Sequence, residues 1–392
     1  MGWIHQLIEG KPEDAPAILD FDGQHYSYGQ LCETVQATAD ALARHGVRPG
    51  DRVMIVAENC ALFPVVIFAC SQLQAWANPV NARQSHTELE AIRTHSGART
   101  IVFTAPDSDV ANTHADAYQA DTIATLSCGT LTASPVFDTT PEPVEDTPDA
   151  RVAALLYTTG TTSAPKGVML THANLTWNSH TSSNLRGMVA QDRVIGLLPV
   201  SHIFGFCSTM LATFQTGAEM QFIARYSPQA MMAALAEGGA VLPAVPQMYA
   251  NLLAHLDQTG EILSAPKLHY ISSGGAPLDP DLKRRTEHLF GLPLRNGMGM
   301  TECSPTMAAT SKESPDKGTS VGKAVPDVAL WIDSPDENGV GELMIKGPGV
   351  MKGYYRNPEA TAMVLKKDQL HTGDLAQIDP DGTVHIVGRL KE

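Results

Sequence analysis

The densest group of chemically useful side chains lies in residues 155–167, which read LLYTTGTTSAPKG. The apolar start predicts a buried strand, and the loop behind it carries these hydroxyl and glycine residues: Thr158, Thr159, Gly160, Thr161, Thr162 and Ser163. Hydroxyls and loop N–H groups bind the oxygens of a polyphosphate, and Lys166 adds positive charge. A Walker A loop is excluded because Pro165 precedes the lysine and Gly167 follows it. A threonine-rich turn without a ligand is the structural alternative.

Two further glycine-rich segments are candidates for ligand contact. Residues 296–302 read NGMGMTE and end on Glu302, a carboxylate of the kind that binds Mg²⁺ together with phosphate oxygens. Residues 272–277 contain the pair Gly274 and Gly275, which lets a flat ligand approach the backbone closely. Each segment alone is equally typical of an ordinary glycine-rich turn.

A histidine and an aspartate complete the set of candidates. His202 lies in residues 198–205 beside apolar side chains, a position more often occupied by a histidine of the core or of a helix start. Asp374 lies in the turn-like segment 371–374, and residues 388–392 follow further along the chain. An aspartate in a turn usually caps it locally, but a carboxylate also binds a ribose diol.

The elements that position these residues alternate between helix and strand. Residues 28–45 have helical apolar periodicity and stop before Gly46, and residues 53–57 form a continuous apolar run. Further helices are predicted over about 62–73 and 87–95, and a strand over 100–103. This alternation predicts a doubly wound, parallel sheet.

Two changes of composition divide the chain. Residues 129–150 are rich in proline, acids and threonine, which predicts a surface linker. After residue 318, short β-prone stretches alternate with turn residues and predict a small antiparallel sheet or barrel. The expected organisation is a first α/β subdomain with its linker, a second α/β subdomain with the phosphate loop and a β-barrel-like subdomain, at residues 1–150, 151–317 and 318–388.

Composition narrows the classes of function. Of 392 residues, 42 are acidic and 27 are Lys or Arg, so the formal net charge is −15. This argues against a nucleic-acid partner or an anionic membrane surface, since both require a basic face. The longest apolar run, residues 61–70, is about half of the ~20 residues that span a bilayer. The start of the chain lacks the basic segment of a secretory signal, so a cytoplasmic protein without membrane insertion is expected.

Taken together and in this order, the motifs resemble those of the adenylate-forming superfamily, which includes acyl-CoA synthetases, 4-coumarate-type ligases, luciferases and peptide-synthetase adenylation domains. The resemblance covers essentially the whole chain and is specific, because five spaced motifs agree. It implies an α/β fold with two doubly wound, mostly parallel sheets packed with helices in αβαβα layers. A small distorted β-barrel completes the implied fold, without the family's small C-terminal domain.

The resemblance also implies a nucleotide site. The loop from Thr158 to Lys166 matches the phosphate loop that holds the β- and γ-phosphates of ATP. Thr301 would contact the α-phosphate and Glu302 would bind Mg²⁺. The implied contacts to adenine and ribose come from Gly274, Gly275, Ala276, Asn296, Met298, Asp374 and Arg389.

The implied catalytic and acyl-binding residues overlap with this nucleotide site. The catalytic set is Lys166, His202, Thr301 and Glu302. The implied acyl pocket consists of His202, Ile203, Phe204, Gly205, Gly275, Met298, Gly299 and Met300. The family usually has Gly where Ser163 stands and an aromatic ring on adenine where Met298 stands, although a thioether also covers a purine face.

The implied reaction has two steps. A carboxylate attacks the α-phosphorus of ATP to give acyl-AMP and pyrophosphate, and a thiol, most often coenzyme A, then displaces AMP. Amino-acid-activating relatives place an Asp just after the segment that matches residues 199–205, and this chain has no acid there. The expected substrate is therefore a fatty or aryl carboxylic acid, with ATP, Mg²⁺ and coenzyme A.

Two other functions stay open from the sequence. One is an acyl-AMP ligase that loads a carrier protein, and the other is a non-catalytic nucleotide or acyl-adenylate binding protein. The resemblance implies that residues 389–392 are the start of a hinge, since Lys391 matches the hinge before the family's C-terminal domain. In the family, that domain supplies a second catalytic lysine. The sequence thus predicts a large N-terminal domain that binds its ligands better than it turns them over.

Overall fold

In the described part of the chain, two large β-sheets flanked by helices are accompanied by one small antiparallel sheet. The structure of the protein, a computed structural model, describes residues 2–104, 108–158, 165–311 and 318–390. The α-helices in these ranges are α1 (Tyr28–His45), α2 (Leu62–Gln72), α3 (His86–Ser96), α4 (Asp109–Ala117), α5 (His172–Arg186), α6 (Ala212–Thr216), α7 (Pro228–Ala236), α8 (Pro246–Thr259), α9 (Pro280–Phe290) and α10 (Pro358–Val364).

Three short or unusual helices accompany them: a 3₁₀ helix at Ile4–Ile8, a π-helix at Phe204–Leu211 and a 3₁₀ turn at Thr301–Cys303. The strands of the described residues are β1 (Pro16–Leu19), β2 (His25–Ser27), β3 (Arg52–Ala57), β4 (Trp76–Asn81), β5 (Thr100–Phe103), β6 (Asp121–Leu126), β7 (Gly129–Ala133), β8 (Val152–Thr158), β9 (Lys166–Thr171), β10 (Arg193–Gly196), β11 (Glu219–Phe222), β12 (Val241–Ala244), β13 (Tyr270–Ser273), β14 (Leu294–Gly299), β15 (Thr306–Ala309), β16 (Lys323–Ala324), β17 (Ala329–Asp333), β18 (Gly341–Lys346), β19 (Gly353–Tyr354), β20 (Leu365–Lys366), β21 (Gln369–Ile378) and β22 (Val384–Arg389).

The first large sheet has the strand order β19-β9-β8-β4-β3-β5-β7-β6 in the described part of the chain. Its centre, from β8 to β5, is parallel, and antiparallel strands close both edges. Every residue of β3 is buried, as the continuous apolar run predicts. Alternate residues of β3 face opposite sides of the sheet: Val53 and Ile55 enter one apolar cluster, and Met54 and Val56 enter another.

The second large sheet has the order β16-β15-β14-β13-β12-β10-β11-β1-β2 within the same described ranges. It is parallel from β14 to β1 and antiparallel at both edges. The hairpin β1–β2 therefore lies in the second sheet, whereas β8 and β9 lie in the first. Residues before position 150 thus contribute strands to the second sheet, and residues after it contribute strands to the first.

Three apolar clusters define the layers. The largest contains residues of both sheets with α1, α2 and the π-helix between them. A second lies between the first sheet and the helices α3 and α4, and a third lies between the second sheet and α7 and α8. This arrangement is the αβαβα layering expected from the resemblance, and the predicted fold class is confirmed.

The helix α1 illustrates how local sequence sets these elements. Ser27 accepts a hydrogen bond from the N–H of Gln30 and the side chain of Gln30 returns one, which forms a capping box. Gly46 ends the helix with φ 105°, a left-handed conformation that glycine adopts without strain. The predicted bounds, 28–45, are those observed.

The small sheet has the order β17-β18-β21-β20, with β22 on the other side of β21, among the residues described. All its pairings are antiparallel. It confirms the antiparallel sheet predicted after residue 318.

The predicted linker at residues 129–150 is partly wrong. Its start forms β7, which pairs with β5 and β6. Its later part packs on the first sheet: the carbonyl oxygen of Thr140 accepts a hydrogen bond from the buried Arg52 at 3.0 Å, and the N–H of Glu142 donates to the carbonyl of Gly50 at 2.9 Å. Proline-rich composition indicated an irregular backbone but not these backbone contacts.

Asn59, just after β3, links the two large sheets. Its amide nitrogen contacts the carbonyl oxygens of Gly196, Leu198 and Ile223 at 3.0, 2.9 and 3.2 Å. Its side-chain oxygen accepts from the N–H of Val200 at 3.0 Å. Because the Asn59 side chain is buried, water cannot supply these backbone groups with hydrogen bonds in its place.

No helix in the described ranges combines the length and the apolar character that a membrane span requires.

Replacing Asn59 by Ala is expected to lower the apparent free energy of unfolding by about 2–4 kcal/mol, because several buried backbone groups lose their partner at once. Urea unfolding followed by circular dichroism measures this change. Asn338→Ala, at an exposed turn, is the matched control and should stay close to the wild type. A loss no larger for Asn59→Ala than for the control would contradict the linking role.

His172 gives the protein a specific sensitivity to acid. The side chain is buried, its Nδ1 accepts from the N–H of Ile4 at 3.2 Å, and burial, with smaller contributions from His5 and Arg151, lowers its pKa to about 3. The unfolded chain, whose histidine titrates near pH 6.5, therefore binds the proton more readily than the folded protein between pH 6.5 and 3.

We expect the wild type to lose about 2 kcal/mol more stability than His172→Gln between pH 7.5 and pH 5, since glutamine accepts the same hydrogen bond without titrating. Urea unfolding at the two pH values measures the difference. His288→Gln, at an exposed helix position, should keep the wild-type dependence. Parallel pH profiles for the wild type and His172→Gln would rule out this source of acid sensitivity.

Candidate active site

A cavity of about 900 Å³ lies where the ends of β8, β13 and β14 meet the small sheet. It is lined by residues from every motif singled out in the sequence. The predicted site residues that line it are Thr158, Lys166, His202, Ile203, Phe204, Gly274, Gly275, Asn296, Met298, Gly299, Met300, Thr301, Glu302 and Arg389.

The two ends of the predicted phosphate loop meet at one side of the cavity. Thr158 ends β8 and Lys166 begins β9, and the two residues are partners across this antiparallel pair. Thr159, Gly160, Thr161, Thr162 and Ser163 lie outside the described residues, as does Lys391. The strand register alone therefore brings a hydroxyl and an ammonium group to the same side of the cavity.

Lys166 and Glu302 share a neighbour, Tyr354 of β19. The hydroxyl of Tyr354 donates to Oε1 of Glu302 at 2.8 Å, and the Lys166 ammonium lies 5.0 Å from the centre of the Tyr354 ring. Burial, and then the Glu302 carboxylate, raise the pKa of Tyr354 well above its usual value, so the hydroxyl keeps its proton and donates. This phenol orients the carboxylate and also covers the lysine.

A close turn places Thr301 and Glu302 after β14. The N–H of Met300 donates to the carbonyl of Pro305 at 3.2 Å, and the N–H of Met351 donates to the carbonyl of Glu302 at 2.9 Å. A β-carbon on Gly299 would lie 2.5 Å from the carbonyl oxygen of Pro305, so only glycine fits there. Gly299 thus allows the tight backbone turn that positions the Glu302 carboxylate.

Parallel pairing of β13 and β14 brings together two of the predicted glycine-rich segments. Ser273 is the partner of Asn296, so the Gly274–Gly275 turn lies directly beside the second motif. The amide nitrogen of Asn296 donates to the carbonyls of Thr319 and Ser320 at 3.0 and 3.1 Å. Its side-chain oxygen is therefore the atom that remains to accept a hydrogen bond from a ligand.

His202 lies between β10 and the π-helix. Its Nδ1 accepts from the N–H of Phe204 at 3.3 Å, which places the ring proton on Nε2. The His202 side chain is exposed to the cavity, and the surrounding protein atoms partly desolvate it, which lowers its pKa and leaves the ring neutral at pH 7. A β-carbon on Gly205 would lie 2.3 Å from the carbonyl oxygen of Pro199, and this glycine packs the start of the π-helix against that loop.

The small sheet contributes a cross-strand ion pair. Asp374 of β21 is paired with Arg389 of β22, and Nε of Arg389 lies 2.8 Å from the carboxylate of Asp374. Nearby, Glu342 accepts from the N–H of Gly373 at 3.0 Å and lies 2.8 Å from Nδ1 of His371. Arg389 and Glu342 both line the cavity.

Three predicted residues lie off the cavity wall that the described residues form. Gly205 is buried behind it, Ala276 is exposed beyond the turn, and Asp374 lies behind Arg389. Conversely, no motif in the sequence pointed to Tyr354, Glu342 or Arg186, which line the cavity. Their positions depend on strand pairing between segments far apart in the chain, which motif spacing does not reveal.

The residues present suit a Mg²⁺ ion that arrives with a nucleotide. Among the described residues there is no group of three or more His, Cys, Asp or Glu side chains that would form a metal cage. Glu302 offers one buried carboxylate beside Lys166 and Thr158. One carboxylate together with substrate phosphates is the usual magnesium environment.

Comparisons with known proteins agree with this geometry. The chain is 34% identical over 385 residues to a feruloyl-CoA synthase of an Amycolatopsis species, covering 94% of this chain and 74% of the relative. It is 32% identical to 4-coumarate–CoA ligase 2 of Oryza sativa subsp. japonica, covering 97% of this chain and 73% of that protein.

The fold is also that of solved adenylate-forming enzymes. The crystal structure of ATP-bound MatB from Rhodopseudomonas palustris has a TM-score of 0.82 and 28% identity, and covers 98% of this chain and 78% of that chain. The AMP-binding enzyme family matches residues 5–355. This chain therefore belongs to the AMP-binding enzyme family, within the adenylate-forming superfamily that its motifs resemble.

Proposed function

We propose that this protein activates a non-amino-acid carboxylic acid with ATP and transfers the acyl group to coenzyme A. One observation carries the proposal: a single cavity holds Thr158, Lys166 and Glu302 at one part of its wall and His202 and Phe204 at another. The carboxylate oxygen forms a bond to the α-phosphorus, pyrophosphate leaves, and coenzyme A thiolate then displaces AMP. Relatives named as CoA ligases support the assignment.

At the phosphate-binding end of the cavity, the proposed contacts neutralise the negative charge of the ATP phosphates. Thr158 and Lys166 contact phosphate oxygens, Thr301 contacts the α-phosphate, and Glu302, oriented by Tyr354, would hold Mg²⁺. A bound Mg²⁺ would supply positive charge to the phosphates and to the pyrophosphate leaving group. Phosphoryl transfer depends on such positioning and charge stabilisation more than on acid–base chemistry.

At the nucleoside end of the cavity, the proposed contacts are close packing against the adenine and a few polar contacts. Gly274 and Gly275 let the adenine approach the backbone, and Met298 covers a purine face. The side-chain oxygen of Asn296 accepts from the adenine amino group. Arg389, held by Asp374, reaches the ribose.

The acid end lies beside His202. A neutral imidazole does not form an ion pair that would fix the carboxylate away from the phosphorus, and its Nε2–H can still orient one carboxylate oxygen. No acidic residue occurs between His202 and Ser208 to pair with an ammonium group, which disfavours an amino acid. Relatives whose names specify feruloyl and 4-coumarate substrates support an aryl acid.

The cytoplasm is the compartment we propose, since ATP and coenzyme A are both available there.

A panel of fatty and cinnamic acids, assayed for acid-dependent pyrophosphate release and for acyl-CoA by mass spectrometry, tests the function. We expect pyrophosphate release that needs ATP, Mg²⁺ and an acid, and a thioester only when coenzyme A is present. Acyl-AMP that accumulates in the presence of coenzyme A would favour a carrier protein as acceptor. A protein that binds ATP but releases no pyrophosphate with any acid would refute the proposed activity.

Lys166→Ala and Glu302→Gln should each weaken acid-dependent pyrophosphate release by at least about 10-fold, because the first removes a positive charge beside the phosphates and the second removes the carboxylate proposed to bind Mg²⁺. Thermal unfolding should remain near that of the wild type, since Lys166 is only partly buried and the amide that replaces the Glu302 carboxylate still accepts from Tyr354. Lys267→Ala and Glu261→Gln, at exposed positions, are matched controls. Wild-type pyrophosphate release by both Lys166→Ala and Glu302→Gln would contradict the assignment of these two residues to the nucleotide site.

Tyr354→Phe should raise the KM for MgATP by about 10-fold, because the Glu302 carboxylate loses the hydrogen bond that orients it while the ring beside Lys166 remains. Steady-state kinetics at saturating acid measure this. Tyr118→Phe is a matched control, since Tyr118 donates to Glu90 at 3.0 Å and neither residue lines the described cavity. An equal KM change in both variants would contradict a specific role for Tyr354.

A further inference from the structure

The cavity has a polar wall that the nucleotide and carboxylate contacts do not use. This wall comes from the last turns of α5, from the π-helix and from β13: Ser182, Arg186, Ser208 and Tyr270 all line the cavity there. Thr306 of β15 joins them and lies 3.4 Å from Ser182, hydroxyl to hydroxyl. We call these five residues the polar wall.

Arg186 is the only buried cation of the polar wall in the described structure. The residue is 6% exposed, at the C-terminal end of α5. One terminal nitrogen of its guanidinium donates to the carbonyl of Ser208, and the other donates to the Ser208 hydroxyl at 2.7 Å. Tyr270 is a further hydrogen-bond partner. Since a guanidinium has five N–H donors, part of its capacity remains for a ligand.

Another buried arginine shows what complete pairing requires in this fold. Arg52 donates to four backbone carbonyl oxygens, those of Ser96, Gly50, Thr140 and Gly97, at 2.8–3.1 Å. It does not line the cavity that the described residues form. Arg186, by contrast, has one serine and one tyrosine around it and faces open volume.

Arg186 has no anionic partner in the described part of the chain. No carboxylate there lies within salt-bridge distance of it, and the two glutamates on the cavity wall, Glu302 and Glu342, hydrogen-bond to Tyr354 and to Gly373. Burial raises the pKa of Tyr270, so this phenol stays neutral and does not serve as counter-ion. A buried charge without a counter-ion is costly, which favours an anion supplied by the ligand.

A neighbouring feature points to the same ligand chemistry. Arg295 also lines the cavity and donates to the carbonyl of Ser311 at 2.6 Å, so a second cation lies near Tyr270. A second positive charge on the same side of the cavity favours an anionic ligand group there.

We propose that the polar wall binds a second carboxylate, at the end of the substrate remote from the one that is activated, and that Arg186 selects for it. This inference rests on the proposed function, because it assigns the class of acid that the same cavity activates. The apolar wall residues Ile203, Phe204 and Met300 then contact the hydrocarbon that separates the two carboxylates. The substrate is a dicarboxylic acid, activated at one end only.

Matched pairs of acids test the proposal through kcat/KM for pyrophosphate release. The pairs are hexanoate with hexanedioate, and cinnamate with 4-carboxycinnamate; 4-hydroxycinnamate tests a phenol in place of the carboxylate. We expect the wild type to favour the diacid of at least one pair by about 100-fold over its monoacid. A wild type that prefers both monoacids to their diacids, or that prefers 4-hydroxycinnamate to both diacids, overturns the proposal while leaving the proposed function intact.

Arg186→Met keeps an unbranched apolar stem but removes the guanidinium and its charge. We expect it to lower the diacid-to-monoacid ratio of kcat/KM by about 10- to 100-fold, mainly through KM, and Arg186→Lys to recover part of the ratio. Arg284→Met, on the exposed face of α9, should leave the ratio unchanged. If Arg186 only ties α5 to the π-helix, its variants will lose thermal stability without changing the ratio, which overturns the proposal.

Calorimetry separates the two possible failures. Absence of pyrophosphate release with every acid counts against the proposed function, and the selectivity is then measured as the ratio of dissociation constants for hexanedioate and hexanoate. A diacid preference that Arg186→Met removes supports the proposal even then. Equal binding of both acids to the wild type refutes it.

Discussion

The carboxamide of Asn59 joins the two large sheets at the point where the cavity begins. Its contacts with Gly196, Leu198 and Val200 fix the segment that leads from β10 into the π-helix. That segment carries His202, and the π-helix behind it carries part of the polar wall. The position of His202 relative to the first sheet, whose strands β8 and β9 carry Thr158 and Lys166, therefore depends on one buried amide.

The charge of the cavity is opposite to that of the chain as a whole. The described lining includes the cations Lys166, Arg186, Arg295 and Arg389 but only two carboxylates, those of Glu302 and Glu342, whereas the whole chain carries a formal charge of −15. A negative surface disfavours polyanions such as nucleic acids, and a recessed positive wall still binds small anions. The net charge of the chain thus argues against polyanionic partners but does not describe the charge of the cavity.

Local sequence was sufficient to predict several elements and a set of candidate residues that the structure brings to one cavity. The capping box at Ser27 and the left-handed Gly46 determine the ends of α1, and the apolar run of β3 predicts a strand buried on both faces. The parallel pairing of β13 and β14 brings two of the motifs together at one edge of the second sheet. Tyr354 and Arg186 could not be predicted, since their neighbours come from pairing across long sequence separations. The linker predicted at 129–150 is wrong in part because composition does not reveal that Arg52 needs the carbonyl of Thr140.

The pairing of Asp374 with Arg389 makes the length of a remote turn part of the ligand site. The hairpin β21–β22 turns at residues 379–383, where the N–H groups of Asp379 and Gly382 close it. Side chains alternate faces along a strand, so one residue inserted in this turn would shift the register and move Arg389 to the opposite face of the sheet. The length of this turn therefore helps to set which residue of β22 lies opposite Asp374 and lines the cavity.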